Sequence, residues 1–237
     1  MPIPGQPIRL DQLLSRYGYC SRREARHWLR AGRVQAAGAV VTNPALKFRP
    51  GEVLVDTTPV EFPGGLLVLF HKPPGRVCTH DPREGPTIYD LLPARWVRRN
   101  PPANSVGRLD KDATGLLVLT DDGEWIHRWT APRHHVAKRY EVTVDGHLTP
   151  EMVSRFASGT LRLDGESSPC LPARLELLSA TRARLELTEG RYHQVKRMFA
   201  SQGCPVRRLH RTHFGPFALG DLPEGGWCAV PWPEAAA

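Results

Sequence analysis

The chain has 237 residues, of which 41% are apolar and 24% charged, and its formal net charge is +8. This length and composition are ordinary for a globular protein of one or two domains, whose core needs no metal or disulfide for stability. No apolar run approaches the ~20 residues of a membrane helix, and the first residues lack a signal-peptide pattern, so we expect neither export nor a membrane span.

The five cysteines are widely spaced along the chain. The two closest, Cys204 and Cys228, are 24 residues apart, and the sequence contains no CxxC pair. Zinc knuckles and disulfide frameworks need cysteines at shorter and more regular spacings. The sequence therefore predicts reduced thiols, a cytoplasmic location and no cysteine-based metal site.

Positive charge is concentrated in the N-terminal region. Residues 1–50 contain nine Lys and Arg but two acidic residues, so they carry +7, whereas the rest of the chain carries +1. A small basic module before a nearly neutral domain suggests a polyanionic partner, most often nucleic acid. Charge that serves only solubility is the alternative explanation.

The basic module has the pattern of two short helices followed by strands. Four apolar residues at helical spacing form one face: Leu10, Leu13, Leu14 and Tyr17. Ser21-Arg-Arg-Glu24 is a capping box that begins a second helix. On this helix Arg22, Arg26 and Arg30 share a face, with Arg33 just beyond it. Guanidinium groups at this spacing suit the phosphates of a nucleic-acid strand, although a solvated helix face would show the same pattern.

The larger region mixes strands and helices without a regular order. Short strands are predicted at residues 66–70, 116–120, 140–144 and 184–188, and helices at 149–156 and 192–202. Because these elements do not alternate as βαβ units, we expect an α+β fold with a mixed, largely antiparallel sheet. The Pro/Gly-rich residues 58–65 have the composition of a linker between the two regions.

The densest polar cluster spans residues 106–115, directly before an apolar strand. Glycines near both ends let the backbone turn tightly and approach a ligand. An aspartate beside Arg108 and Lys111 should stay ionised, and such a carboxylate can serve as a nucleophile, a base or a metal ligand. Alternatively, Asp110 or Asp112 caps the backbone amides of a turn.

One enzymatic reading of this cluster is disfavoured. The D-x-D-x-T pattern at residues 110–114 is shared with magnesium-dependent phosphotransferases that use an aspartate nucleophile. Those enzymes place the first aspartate after a long apolar strand and need later carboxylates for the metal. Here residues 104–108 are not such a strand, and the aspartates after residue 125 (Asp145, Asp164 and Asp221) are isolated.

Longer motifs resemble those of pseudouridine synthases that carry an N-terminal S4 domain. Residues 107–123, G-R-L-D-x-D-x-T-G-L-L-V-L-T-D-D-G, resemble the active-site motif of that family, and residues 8–56 resemble its S4 RNA-binding domain. Three other segments match further family motifs in order: 72–75, 138–142 and 189–198. One departure is Ala113, where the family commonly has Ser or Thr.

The resemblance implies a domain organisation and a partner. It implies an S4-like domain at residues 1–57, a linker at 58–65, a pseudouridine synthase domain at 66–231 and a tail at 232–237. Its implied partner is ribosomal RNA, bound by a monomer.

The resemblance also implies a reaction, in which a flipped uridine exchanges its N1–C1′ bond for a C5–C1′ bond. No atom enters or leaves, so no cofactor is expected. Segments 120–135 and 189–196 resemble family members that act on small-subunit (16S) RNA. A large-subunit (23S) target and a non-catalytic ribosome-assembly factor are the alternatives.

Individual roles also follow from the resemblance. Asp110 is the catalytic aspartate, Tyr140 lies against the flipped base, and Lys196 is the basic partner of the aspartate. Spacing alone does not separate Lys196 from Arg197, and without the motif Tyr140 would read as a core tyrosine. RNA contacts are expected from a set of basic and polar side chains: Arg22, Arg26, Arg30, Arg33, Lys72, Arg108, Arg133, His134 and His193. The adjacent histidines 134 and 135 lack a third ligand nearby, so no metal is expected.

Overall fold

The computed structural model describes residues 6–233, so residues 234–237 of the predicted tail lie outside the described part. The chain divides into two compact units. Among the described residues, the first contains 6–67 together with Tyr89–Asn104 and Leu119–Trp125. The second contains Val68–Ile88, Ser105–Val118 and residues 126–233. Among residues 6–233, every helix is too short or too polar to span a lipid bilayer.

The secondary structure of the described residues consists of short helices and strands of two to nine residues. The helices are α1 (Leu10–Arg16), α2 (Arg22–Arg30), α3 (Ala94–Val97), α4 (Gly123–Thr130), α5 (Pro150–Ala157) and α6 (Gln194–Ala200). The strands are β1 (Ile8–Arg9), β2 (Val34–Ala36), β3 (Ala39–Val40), β4 (Lys47–Phe48), β5 (Val53–Val55), β6 (Thr58–Pro59), β7 (Leu67–Lys72), β8 (Asn104–Ser105), β9 (Thr114–Thr120), β10 (Lys138–Val144), β11 (Arg174–Leu177), β12 (Arg182–Leu187), β13 (Val206–Phe214), β14 (Phe217–Ala218) and β15 (Trp227–Ala229).

The first unit contains the two predicted N-terminal helices, packed on a small antiparallel sheet of β3, β2, β5 and β6. The apolar face of α1 is buried as its spacing predicts, and it packs with Ala25 and Leu29 of α2. The capping box of α2 is confirmed: Ser21 Oγ accepts from the Glu24 amide at 3.2 Å, and Glu24 Oε2 accepts from the Ser21 amide at 2.8 Å. These bonds satisfy amides that the helix itself leaves unpaired.

A buried arginine ties several segments of the first unit together. The Arg99 guanidinium pairs with Asp121 at 2.7 Å and donates to the carbonyls of Glu61 and Phe62 at 3.2 and 3.4 Å. Nearby, Trp96 Nε1 donates to Glu61 Oε2 at 3.0 Å. A buried charge is tolerated only where such partners surround it. Residues 61–62, within the segment of linker-like composition, are thus held in place inside this unit.

The second unit is built on a mixed sheet with the strand order β11-β12-β10-β13-β9-β7-β15. Its pairs are antiparallel between β11 and β12, β12 and β10, β10 and β13, and β7 and β15, whereas β9 and β13 run parallel. The predicted α+β class with a mixed, largely antiparallel sheet is therefore confirmed. On β10 the alternation is confirmed too, since Tyr140, Val142 and Val144 are all buried.

Two helices differ from the predictions. The helix predicted from Tyr192 begins at Gln194, because His193 has a left-handed backbone (φ 46°) that cannot continue a right-handed helix. Helix α4 was not predicted, although its start has a recognisable signal. Asp122 Oδ1 accepts hydrogen bonds from the amides of Glu124 and Trp125 at 2.9 and 3.0 Å, as an N-terminal cap does.

Candidate active site

A cavity of about 590 Å³ opens in the second unit. Its walls come from residues 77–79, Glu84, residues 107–111, residues 129–132, Val136, the start of β10, residues 187–195 and the C-terminal half of β13. The volume lies within the range of pockets that take small ligands or single groups. The cavity brings the motif of residues 107–111 together with the Tyr140 segment and the segment before α6, which are far apart in sequence.

The Lys72 side chain fixes the loop that carries Asp110. The Lys72 ammonium is fully buried and donates to the carbonyls of Pro73, Lys111 and Ala113 at 3.0, 3.1 and 2.8 Å. Burial lowers the pKa of Lys72. An ammonium without exposed surface, with three donors committed to carbonyls, has none to offer RNA. The expected RNA contact at Lys72 is therefore wrong, and this side chain instead fixes the loop.

Gly115 lets the strand after the loop lie close to its neighbour. Its backbone is left-handed (φ 107°), and a Cβ there would be 2.2 Å from the carbonyl oxygen of Arg211. Only glycine combines this dihedral with such an approach. The parallel pairing of β9 and β13 at this point sets the cavity wall beside the loop.

Asp110 faces the cavity and has two basic neighbours. Lys196 Nζ lies 3.1 Å from Asp110 Oδ2, and His193 Nε2 lies 3.5 Å from Asp110 Oδ1. Lys196 Nζ also donates to Asp112 Oδ1 at 2.6 Å. The side chain of Asp110 is 23% exposed and lines the cavity, whereas that of Asp112 is 71% exposed and lies outside the lining. Of the two aspartates, only Asp110 lies where it can contact a ligand inside the cavity.

The charges of this cluster stabilise one another. Partial burial lowers the pKa of Lys196, but the carboxylates of Asp112 and Asp110 outweigh burial, and the pKa ends above its ordinary value. Burial raises the pKa of Asp112, but the Lys196 ammonium outweighs it, and the pKa ends below its ordinary value. The ammonium therefore stays protonated near neutral pH. Arg197 turns away from this cluster and pairs with Glu166 at 2.8 Å, so the geometry favours Lys196 as the partner.

Tyr140 also lines the cavity, together with two cations that the sequence did not single out, Lys138 and Arg211. Tyr140 is buried on β10 and pairs in register with Arg211 of β13. Burial and, less strongly, the charge of Arg211 together lower the pKa of Lys138, two residues earlier, to about 8. Arg211 Nε donates to the carbonyl of Leu116 at 2.8 Å, while its buried Nη2 has no partner among residues 6–233.

Nothing local in the sequence marks Arg211 as a cavity residue, because the pairing of three strands puts it there. Lys138 has a clearer signal, since it lies two residues from Tyr140 and shares its face of the strand.

The remaining predicted contacts of the second unit divide into two groups. Arg108 is exposed at the cavity wall, and His193 lines it. Arg133 and His134 are also exposed, on a short turn of helix at Pro132–His134, but they lie outside the lining. The two side chains form a hydrogen bond, in which Arg133 Nε donates to His134 Nε2 at 3.1 Å.

The arginines of the first unit lie as the helical spacing predicts, at or next to α2. Arg22, Arg26 and Arg30 are exposed, and Arg22 also contacts Asp11 at 3.4 Å. Arg33 follows the helix, where its guanidinium stacks 3.5 Å above the Trp28 ring and its Nε donates to Asp56 at 2.8 Å. The exposed face of the helix is positive and solvent-accessible.

The described residues show no cluster of three or more His, Cys, Asp or Glu side chains arranged to hold a metal ion. All five cysteines are unpaired.

Comparison with known proteins decides the family. A model of the RNA pseudouridylate synthase family matches residues 66–201, and a model of the S4 domain matches residues 8–54. The chain belongs to the RNA pseudouridylate synthase family. It is an RNA pseudouridine synthase with an N-terminal S4 domain, and three of the four motif segments, at 107–123, 138–142 and 189–198, contribute residues to the cavity that Asp110 lines.

Individual relatives resemble this pseudouridine synthase over almost its whole length. The ribosomal small subunit pseudouridine synthase A of Escherichia coli K12 is 38% identical over 235 residues, covering 97% of this chain and 99% of its own. The protein of the same name from Yersinia pestis is 40% identical over 216 residues, or 90% of each chain. A crystal structure of a pseudouridylate synthase has a TM-score of 0.65 and 36% identity, covering 94% of this chain and 96% of its own.

Proposed function

We propose that this enzyme converts one uridine of small-subunit ribosomal RNA to pseudouridine, with Asp110 as the catalytic carboxylate. The observation that carries the proposal is the position of Asp110. It is partly buried at the wall of the cavity and lies 3.1 Å from the Lys196 ammonium. A carboxylate kept beside a fixed cation stays ionised and oriented, as a nucleophile or a base must be.

The substrate class rests on two separate observations. Relatives named small-subunit pseudouridine synthases align with at least 90% of this chain. The first unit also presents a positive helix face, which suits phosphates along a structured RNA. We propose residues 1–57 as the RNA-binding domain and 66–231 as the catalytic domain, which the family matches at 8–54 and 66–201 support.

The proposed reaction begins with extrusion of the target uridine into the cavity, which costs a few kcal/mol of unstacking. Asp110 then either attacks C1′ as N1 departs or removes a proton from the sugar. The detached uracil turns until C5 faces C1′, the C5–C1′ bond forms, and the C5 proton is lost while N1 gains one. Tyr140 lies against the base, and Lys196 holds Asp110. Atoms balance without a cofactor.

The remaining predicted contacts belong to the same proposal. Arg108 and His193 meet the nucleotides at the cavity, while Arg133 and His134 contact RNA beyond it. The enzyme acts as a monomer in the cytoplasm, where reduced cysteines are stable.

The catalytic assignment is tested by a matched pair of variants. Asp110→Asn and Asp112→Asn each remove one carboxylate beside Lys196, but only Asp110 lines the cavity. We expect Asp110→Asn to abolish pseudouridine formation and Asp112→Asn to retain it within about tenfold. RNA affinity should change little in both, because phosphate contacts dominate it. Turnover by Asp110→Asn would refute the assignment.

The substrate is tested by mapping pseudouridine after incubation with unmodified small- and large-subunit RNA, free and as assembling particles. One Asp110-dependent site in small-subunit RNA supports the proposal. A site only in large-subunit RNA would keep the chemistry and overturn the substrate. Tight binding without any modified site would favour a non-catalytic assembly factor.

A further inference from the structure

Tyr192 stands out on the surface of the second unit. It lines the mouth of the cavity, and it is 73% exposed, more than any other large apolar side chain in the described residues. Exposed single aromatics are common, so exposure alone has no functional meaning. The contacts that fix the Tyr192 ring are what indicate a function.

The ring of Tyr192 lies on the imidazole of His193. Their centroids are 3.9 Å apart and their planes differ by 18°, so the two rings are stacked. His193 in turn has its Nε2 3.5 Å from Asp110 Oδ1. One face of Tyr192 is therefore covered by a residue of the active site, and most of the ring stays open to solvent.

The backbone beneath this pair is braced on both sides. Arg191 donates to Glu189 and to the carbonyl of Ser168, and its own amide donates to Gln194 Oε1 at 2.9 Å. Arg197 donates to the carbonyl of Tyr192 at 3.1 Å. An aromatic ring on such a fixed segment loses little conformational entropy when a ligand binds it.

We propose that Tyr192, stacked on His193, binds an unpaired RNA base next to the target uridine. This inference rests on the proposed function and adds a substrate-selecting residue to it. Proteins recognise unpaired bases by stacking them on aromatic side chains, and every base has a face suited to this. The Tyr192–His193 pair thereby favours uridines whose neighbour is already out of the helix, and it holds that neighbour while the uridine enters the cavity.

The first test uses Tyr192→Ala and Tyr192→Phe, with Leu178→Ala as a control at an exposed apolar residue outside the cavity. We expect Tyr192→Ala to raise KM for RNA roughly tenfold and to leave kcat within about twofold, because stacking contributes to binding. Tyr192→Phe and Leu178→Ala should resemble the unmodified enzyme. An unchanged KM in Tyr192→Ala would overturn the proposal, and so would a Phe variant as impaired as the Ala variant. A loss confined to kcat would assign Tyr192 to positioning His193 instead.

The second test does not depend on turnover. A ribosomal RNA segment that the protein protects from nuclease is prepared with 2-aminopurine at its unpaired positions, and fluorescence is read with Asp110→Asn protein. We expect the fluorescence to be quenched at one position. The quenching should be lost in a double variant that carries both Asp110→Asn and Tyr192→Ala. Quenching that survives in the double variant refutes the stacking. Tyr192-dependent quenching by an enzyme that modifies no uridine would refute the proposed catalysis and keep the stacking.

Discussion

At the scale of single residues, Lys196 contacts two carboxylates that differ in exposure. The ammonium lies 3.1 Å from Asp110 and 2.6 Å from Asp112, so charge alone does not distinguish the pair. Burial distinguishes them, because solvent screens an exposed ion pair and makes its interaction energy small, whereas a partly buried ion pair is screened less. From the residues alone, either aspartate could have been a reactive carboxylate or a cap of turn amides, and only the motif resemblance selected Asp110. The cavity gives the physical reason for that choice.

Burial of the Lys138 ammonium at the cavity makes the folded protein less stable. The pKa of Lys138 is about 8 in the folded protein, against 10.5 for an unperturbed lysine. Between these values the unfolded chain binds more protons, so stability should rise with pH from about 8 to about 10.5. Below pH 8 both states are protonated, and the cost of burying the charge is largest.

We therefore expect Lys138→Met to stabilise folding at pH 7, by about 1 kcal/mol. The gain should shrink at pH 10, where the lysine is neutral in the folded state. Urea unfolding without RNA at pH 7, 8.5 and 10 measures the difference. Lys111→Met, which removes the same charge from an exposed lysine of the same unit, is the control and should give a smaller gain at pH 7. A gain that is constant across pH would contradict the prediction.

At the scale of elements, α2 combines a buried face with a positive one. Ala25 and Leu29 pack into the core of the first unit, so the exposed arginines are held on a fixed scaffold. Both faces and the capping box follow from local spacing, and for this reason the sequence predicted them. The start of α6 did not follow, because the left-handed His193 is imposed by the contacts of residues 189–194.

The arginines of α2 make a quantitative prediction about salt. Replacing Arg22, Arg26 and Arg30 with Ala should weaken RNA binding and reduce the slope of log K against log salt by about 2, since each phosphate contact contributes about 0.7–0.9. Binding measured between 50 and 200 mM salt checks this.

The matched control for that experiment removes the same charge from exposed arginines of the second unit: Arg155, Arg174 and Arg182. Its slope should stay closer to that of the unmodified protein. Equal slopes for the two triple variants would show that net charge, rather than the helix face, determines the salt dependence.

At the scale of the whole molecule, the first unit is assembled from three stretches of chain. Arg99, from the second stretch, contacts Glu61 and Phe62 from the first and Asp121 from the third, and its guanidinium lies 4.7 Å from the Tyr17 ring. These contacts join the N-terminal module to two later segments of the chain.

Removal of the Arg99 charge should accordingly be costly. We expect Arg99→Ala to destabilise the protein by about 3–5 kcal/mol, because Asp121 is left buried without its partner. In thermal unfolding this corresponds to a Tm lower by roughly 10 °C. Arg98→Ala, at the exposed neighbouring arginine, should change Tm by a degree or two at most. Similar Tm values for both variants would count against the network.

The sequence by itself determined the α+β class, the amphipathic N-terminal helices and the motif that contains Asp110. These are local properties, since periodicity and caps act within a few residues and a motif is read along one segment. Tertiary structure alone decided which side chains meet. Lys72 bonds to carbonyls of the loop that carries Asp110, Arg211 lines the cavity, and Tyr192 stacks on His193. The first two depend on contacts between segments distant in sequence, and the third depends on the left-handed backbone of His193, which no local pattern encodes.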